Sequence, residues 1–532
     1  MNARSEVFDE PELLAPLLYE QARLFRGLGQ VDDALAALDN LLLLEDEHVG
    51  GLALQVELHV QREAFDDAVA SLRALAAARS APASQRRIAR LGAAEFLEKK
   101  LGDPAGALAE LSAIETELGM ADRAVYERIA ALAQRTGRLE DAARAHTEAA
   151  ARAGDPDERA AAYRRLGDLA RREGRLEDAA GAYRNALEAK PDDVDAVESL
   201  AEIPVAGDVE PRVEAVLRAL RRSVDPVSSA YLTRLERVAR LAGDWGASGA
   251  TLELLRALEG APSGAPALDP SRLRSLEGAA LRVVMDPPSG AVADLAKLVC
   301  EVLEEGDPLE PGVLGASRKD LRMRGSGESA VELVHAISAQ IGSPGDVYIA
   351  GEAKGVLGGA HLGRPFYVLG RAARSPQTIA YDAAFSAAAV RTGFASLASR
   401  CARGGASAVE TAIFATTAAA GAPISRAVGG DGFAELARAV ARPAAKRQKR
   451  LAELAAAVDR ASVSAWAGQL QASLVRAAVL VSGDLARGLS ALVGSPKPEA
   501  VAASPAAASL AREWLDSDTI AARAAFGWRP LG

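Results

Sequence analysis

Cysteine is nearly missing from this 532-residue chain, which carries two, Cys300 and Cys401. That number excludes a disulfide framework and a cysteine-based zinc site, and both residues read as small buried hydrophobes. Histidine is almost as scarce. The five histidines, His48, His59, His146, His335 and His361, are too far apart for the helical zinc motif H-E-x-x-H to occur in any register. Aromatic residues make up 4%, too few for large aromatic cores or for platforms that stack nucleic-acid bases. The formal net charge is −10, the wrong sign for a general nucleic-acid binder. No apolar run reaches the roughly 18 residues that suggest a membrane span. The best stretch, TAIFATTAAAGAP, is short and carries three threonines and a proline. The segment MNARSEVFDEPELL lacks the apolar core of a secretion signal. These absences lead to the expectation of a soluble, cytoplasmic protein with no cofactor, no nucleic-acid partner and no membrane partner.

What the chain does have is helix-forming bulk. Apolar residues are 49% and charged residues 25%, a globular balance. Most of the apolar share is Ala, Leu and Val, which favours close-packed helices. The length implies two or three domains, or a repeat array plus a domain. One heptapeptide, GRLEDAA, occurs at 137–143 and again at 174–180. Its paired acids read either as acid/base machinery or as helix punctuation. Similar pairs occur at Asp32–Asp33 and Asp66–Asp67. Each falls in the first turn of an expected helix, where negative charge offsets the positive end of the macrodipole by about 0.3–1 kcal/mol. Adjacent helical residues also point in different directions. Punctuation is the better reading.

The second copy sits in a longer pattern, YRRLGDLARREGRLEDAAGAYRNALEAKP, from Tyr163 to Pro191. Tyr163, Leu166, Gly167, Ala170, Ala179, Tyr183 and Pro191 fall at the spacing of the two-helix tetratricopeptide repeat (TPR), and the segment resembles that family. The alanine that opens the second helix recurs as Ala34, Ala68, Ala107, Ala142 and Ala179, and more weakly as Ser248. Gly29, Gly102, Gly137, Gly174 and Gly243 occupy the slot where the first helix must stop, with Glu63 as the exception. Gly167 and Ala179 are small where two antiparallel helices approach. The resemblance implies a helical-hairpin solenoid over residues 1–258, with first helices lining a concave, peptide-holding face. In that register the inward positions include Arg23, Arg26, Arg135, Arg164, Asp168, Arg171 and Arg172, with Glu57 and Glu127. That groove is expected to be mostly basic and to suit an acidic segment or a terminal carboxylate. Arg171 and Arg172 also read as ordinary C-terminal charges of a helix. The Lys/Asn clamp that some family members use on chaperone tails is not reproduced, since Arg164 is followed at i+4 by Asp168.

Proline and glycine thicken over 259–310, expected to be a connector in which SRLRSLEGAALRVV forms a helix. Residues 311–532 read as a mostly helical α+β domain. Its strand signals are DVYIA (346–350) and PFYVLG (365–370), a hairpin or two strands of a small sheet, with the glycine-rich GEAKGVLGGAHLG between them as a tight loop. That segment lacks the Ser or Thr after Lys354 that a phosphate loop needs. SRKDLRMRGSGESA (317–330) reads as a loop. The order of elements distantly resembles the C-terminal domain found after TPR arrays in some bacterial proteins, which in turn looks like an H-E-x-x-H zinc peptidase that has lost its ligands. The resemblance places Phe385 and Ala389 at the two histidine positions, Ser386 at the glutamate, Gln471 at the glutamate ligand of a later helix, and Val475 at its aspartate. The basic run Lys446–Arg450 reads as a solvated helix face.

The chain as a whole is expected to be mainly α, with a TPR-like solenoid followed by the α+β domain. The expected function is non-catalytic: a scaffold that binds a protein or peptide partner in the concave groove. The alternative is an enzyme or ligand-binding activity in 311–532 through a site not visible as a motif. Self-association is a third expectation to test.

Overall fold

The computed structural model describes residues 11–204, 207, 209–261, 268–276, 284–352, 355–373, 375–424 and 432–525. The chain divides into two compact units, 1–216 and 217–532.

The first unit is a run of antiparallel helical hairpins. They are α1 (Pro11–Gly27) with α2 (Val31–Leu44), α3 (Val49–Gln61) with α4 (Phe65–Ala77), α5 (Ala83–Lys99) with α6 (Pro104–Thr116), α7 (Arg123–Arg135) with α8 (Leu139–Ala151), and α9 (Pro156–Arg172) with α10 (Leu176–Ala189), followed by α11 (Val194–Ala201). The anchoring alanines decide how closely each pair approaches. Ala34, Ala68, Ala107, Ala142 and Ala179 are all fully buried. At the best-matched repeat a Cβ on Gly167 would stand 2.7 Å from the Tyr183 ring. The Tyr183 hydroxyl donates to Asp168 at 2.6 Å, tying the two helices at the same point.

All four acid pairs lie in the first turn of a second helix, as the punctuation reading requires. The helix-stop glycines Gly29, Gly102, Gly137, Gly174 and Gly243 have φ between 67° and 75°. Glu63 adopts the same left-handed conformation at φ 59°. Its side chain brings its Cβ into a region that costs an L-residue roughly 1–2 kcal/mol.

After α12 (Val209–Arg222), α13 (Ser229–Leu241) and α14 (Trp245–Leu258) of the second unit form a further hairpin. Its helix α14 packs against the C-terminal helices of this unit. The Trp514 indole N–H donates to the Ala250 carbonyl at 3.1 Å, and Arg523 reaches Glu253 at 3.1 Å with both side chains buried. Burial pushes the Glu253 carboxyl up against the pull of Arg523. The expected connector helix at 271–284 is not formed in its first part: Pro270–Arg272 make a 3-10 turn, 273–276 are not helical, and 277–283 lie outside the described residues.

The sheet corrects two expectations. It has four strands in the order β1-β2-β4-β3: β1 (Leu321–Arg322), β2 (Asp346–Ile349), β3 (Val356–His361) and β4 (Arg364–Leu369). DVYIA and PFYVLG supply β2 and β4, which pair in parallel and so do not form a hairpin. The glycine-rich stretch between them is no loop. Residues 356–361 form β3, antiparallel to β4 across a two-residue turn at Leu362–Gly363. Both turn residues have positive φ, 50° and 75°, as a type I′ hairpin requires. Glycine belongs inside β3 because of close approach: a Cβ on Gly358 would meet the Ser386 Cβ at 2.7 Å and the Tyr367 ring at 2.8 Å. Residues 317–330, expected as a loop, contribute the two-residue strand β1. Lys354 lies outside the described residues.

The remaining helices are Ala291–Gly306, Ser329–Ile341, Pro376–Arg391, Ala395–Ala419, Phe433–Lys446, Gln448–Ala455, Arg460–Ser482, Leu485–Val493, Pro498–Ala503, Pro505–Trp514 and Ser517–Ala525. No helix among the described residues is long and apolar enough to cross a membrane. Both cysteines are free and buried, and burial pushes each thiol up to about 12.

The substitution Glu63→Gly is expected to stabilise the first unit by roughly 0.5–1 kcal/mol, since relief of the left-handed strain outweighs the extra chain entropy of glycine. Urea unfolding of the wild type and the variant measures this; an unchanged or lower midpoint would contradict the strain reading.

Candidate functional site

The candidate groove residues of the first helices are mostly joined to acids, several on neighbouring repeats. Arg26 of α1 meets Glu57 of α3 at 2.7 Å, and Arg135 of α7 meets Glu98 of α5 at 2.7 Å. Arg123 of α7 meets Glu158 of α9 at 2.8 Å. Arg164 of α9 meets Asp195 of α11 at 2.5 Å and Asp193 at 3.3 Å, and Arg171 meets Glu202 at 2.6 Å. Arg23 is held within its own helix by Glu20 at 2.7 Å. The second helices carry their own rungs. Glu110 of α6 is buried and receives Arg73 of α4 and Arg90 of α5, both at 2.6 Å. Arg144 of α8 meets Glu115 of α6 at 2.8 Å. An exposed pair of this kind contributes at most about 1 kcal/mol. Here the pairs recur at the repeat spacing and join each hairpin to its neighbour.

Of the seven candidate groove residues, Arg172 has no carboxylate within ion-pair distance among the described residues. Asp168 accepts from Tyr183. These two line a cavity of about 410 Å³ between α7, α8 and α9, together with Glu127, Gln134, His146 and Arg165. The other five candidates lie outside its lining. Arg165 is not among the residues singled out in the sequence, and His146 counts there only among the scattered histidines. Arg165 shares a helix stripe with Asp168, Leu169 and Arg172 at i, i+3, i+4 and i+7, the signal that would have found it. His146 is buried on a second helix, with its Nε2 2.9 Å from the Gln134 amide. Burial, helped by the Arg165 charge, pushes its imidazole down to about 4. The cavity wall is therefore a neutral imidazole, an Arg165–Glu127 pair at 3.3 Å and the unpaired Arg172.

The other histidines serve local structure. His48 caps α3, its Nδ1 accepting from the Gly51 N–H at 2.9 Å. His335 lies 3.2 Å from the Arg322 carbonyl, and His361 stands 3.8 Å from Glu310. Among the described residues no group of three or more His, Cys, Asp or Glu is placed to hold a metal ion. In the basic run, Arg447 pairs with Glu305 and with Glu301, and Lys446 with Glu305.

In the second unit, four of the positions singled out by the peptidase resemblance come together. Phe385, Ser386, Gln471 and Val475 line one cavity of about 450 Å³. Ala389 is buried and is not part of that lining. The helix Ala395–Ala419 breaks at this wall, where Gly404 and Gly405 leave helical geometry and Gly405 takes φ 65°, ψ −162°. That region is open essentially to glycine alone. The break frees the Ala406 N–H, which donates to Gln471 Oε1 at 3.0 Å, while Gln471 Nε2 donates to the Ala491 carbonyl at 2.9 Å. Both ends of the amide are engaged by backbone. Opposite, Arg487 donates to Asp382 at 2.5 Å and lies over the Tyr381 ring, 4.6 Å from its centroid. Asp382 also accepts from the Val356 N–H at the start of β3.

A hairpin array in the first unit and a helical second unit with a small mixed sheet define the class: a mainly helical, TPR-like repeat protein with an α+β part. No family model matches the chain, and no curated protein matches it. Solved structures similar to it include YrrB, described as a TPR protein with an unusual peptide-binding site, at 20% identity over 37% of this chain and 97% of that chain, with a TM-score of 0.24. The C-terminal part of a TPR repeat-containing protein from Cytophaga hutchinsonii is 14% identical over 45% of this chain and 95% of that chain, TM-score 0.28. The TPR2AB domain of yeast Sti1, in a pHSP90 complex, is 15% identical over 46% and 90%, TM-score 0.23. Scores of this size carry no argument about partner or site, and the hairpin geometry of this chain itself supports the class.

Protonation of His146 gives the first unit a pH dependence of known sign. Its folded value of about 4 lies below the ordinary 6.5, so between those values the unfolded chain binds the extra proton and stability falls as pH drops. At pH 5 the loss relative to neutral pH is on the order of 2 kcal/mol. Unfolding of wild type and His146→Gln at both pH values checks this: the variant is expected to lose that much less on acidification, and equal losses would refute the burial of a neutral imidazole.

Proposed function

We propose that the first unit is a non-catalytic protein-binding scaffold, and that an extended partner segment enters at the cavity between α7, α8 and α9. The observation that carries this reading is the charge arrangement. Nearly all the basic candidates along the first helices are satisfied by acids of the chain itself, while Arg172 is exposed at the edge of a polar cavity with no carboxylate within ion-pair distance among the described residues. A partner carboxylate, from an Asp or Glu side chain or a chain terminus, would supply the missing acid through a bidentate contact. The sign preference of the groove then rests on one cation, and not on the whole basic stripe. Asp168, held by Tyr183, and Gln134 offer polar contacts to the partner backbone.

For the second unit we propose a ligand-less relative of the zinc peptidases that does no peptide hydrolysis. Its support is the convergence of Phe385, Ser386, Gln471 and Val475 on one cavity, where an amide engaged by backbone at both ends stands at the ligand position.

The groove reading is tested by selecting a displayed peptide library on the full chain and on Arg172→Glu, which breaks no ion pair within the described residues. The wild type is expected to enrich peptides sharing an acidic position, and the variant to lose them by at least tenfold. Enrichment of the same peptides by both proteins, or of none by the wild type, would overturn it. Circular dichroism of the variant establishes that it is folded.

A further inference from the structure

The cavity of the second unit has features that neither scaffolding nor lost peptidase ancestry uses. It is about 450 Å³, within the size range of small-molecule sites. Leu357, Phe385 and Val475 make one side apolar. The other side is cationic. Arg487 is matched by Asp382. Arg403, in the wall beside the helix break, has one side-chain bond, to the Ser399 carbonyl at 3.4 Å, and no carboxylate within ion-pair distance among the described residues.

Two further observations point to a missing anion. The helix segment that restarts after Gly405 begins with its positive end at the cavity wall, since Gly404 and Gly405 are part of the lining, with its Ala406 N–H already engaged by Gln471. Among the described residues one acid lines the cavity, Asp382, and it is already matched by Arg487 and by the Val356 N–H. Tyr381, in the same wall, is buried, and its hydroxyl has no hydrogen-bond partner among the described residues.

We propose that this cavity binds a small organic carboxylate with an apolar tail, the carboxylate meeting Arg403 at the helix break and the tail lying against Leu357, Phe385 and Val475. A purely polar anion would leave that apolar side wet. An amine of the same shape would face Arg403 and the positive helix end. The inference is independent of the peptide groove, which lies in the other unit, so either can fail without the other.

Titration calorimetry on the full chain tests it, with hexanoate, phenylacetate and 4-phenylbutyrate as probes and 4-phenylbutyramide and 4-phenylbutylamine as controls. At least one acid is expected to bind at millimolar concentration or below, and both controls to bind at least tenfold more weakly. Replacing Arg403 with Gln removes the cation without touching an ion pair of the protein. It is expected to weaken the acid about tenfold, as loss of one charge-assisted hydrogen bond implies. The exposed Ala491→Phe fills the cavity and is expected to abolish binding while leaving the melting temperature of the free protein unchanged. No binding by any of the acids, equal binding by the amide, or undiminished binding in both folded variants would overturn the proposal.

Discussion

The first unit depends on how near two helices can come. A hairpin of this kind closes over a position where the second helix has room for a methyl group and nothing larger. Ala34, Ala68, Ala107, Ala142 and Ala179 occupy that position, each without exposed surface. Interiors packed at crystal-like density do not accept added volume there without moving backbone. With the distance between helices set by alanine, larger side chains such as Leu108 and Ile129 are buried beside it, and Tyr183 packs across its own hairpin onto Gly167. The repeat is thus a steric statement before it is a chemical one.

Regular stacking has an electrostatic consequence. Once hairpins sit at constant spacing, a charged side chain on one first helix lies within reach of the corresponding region of the next. Arginine then pairs with glutamate or aspartate about one repeat away, as Arg26 does with Glu57 and Arg171 with Glu202. A stripe that is basic in composition becomes nearly neutral in space. Among the described residues Arg172 differs in having no carboxylate within ion-pair distance.

The second unit shows the same economy with glycine. Gly358 lets β3 lie flat against the helix carrying Ser386, and Gly405 turns the helix Ala395–Ala419 aside. Between those two places a cavity open to solvent remains. Gln471 makes the break tolerable by accepting the N–H that the broken helix exposes, the obligation every buried backbone donor carries.

How far this was legible in the sequence follows from the range of each interaction. The alanine and glycine spacing, the acid pairs in the first turns and the helical character of both units depend on residues within about one repeat of one another, and a periodic pattern displays them directly. The strand identity of residues 356–361 was hidden because glycine normally marks a turn, and only contact with Tyr367 and Ser386 explains its place inside a strand. The pairing of Asp382 with Arg487 and of the first-helix arginines with acids of neighbouring repeats joins residues through space. Composition counts charges; it does not say which of them already have partners, because ion pairing is decided by distance after the helices have packed.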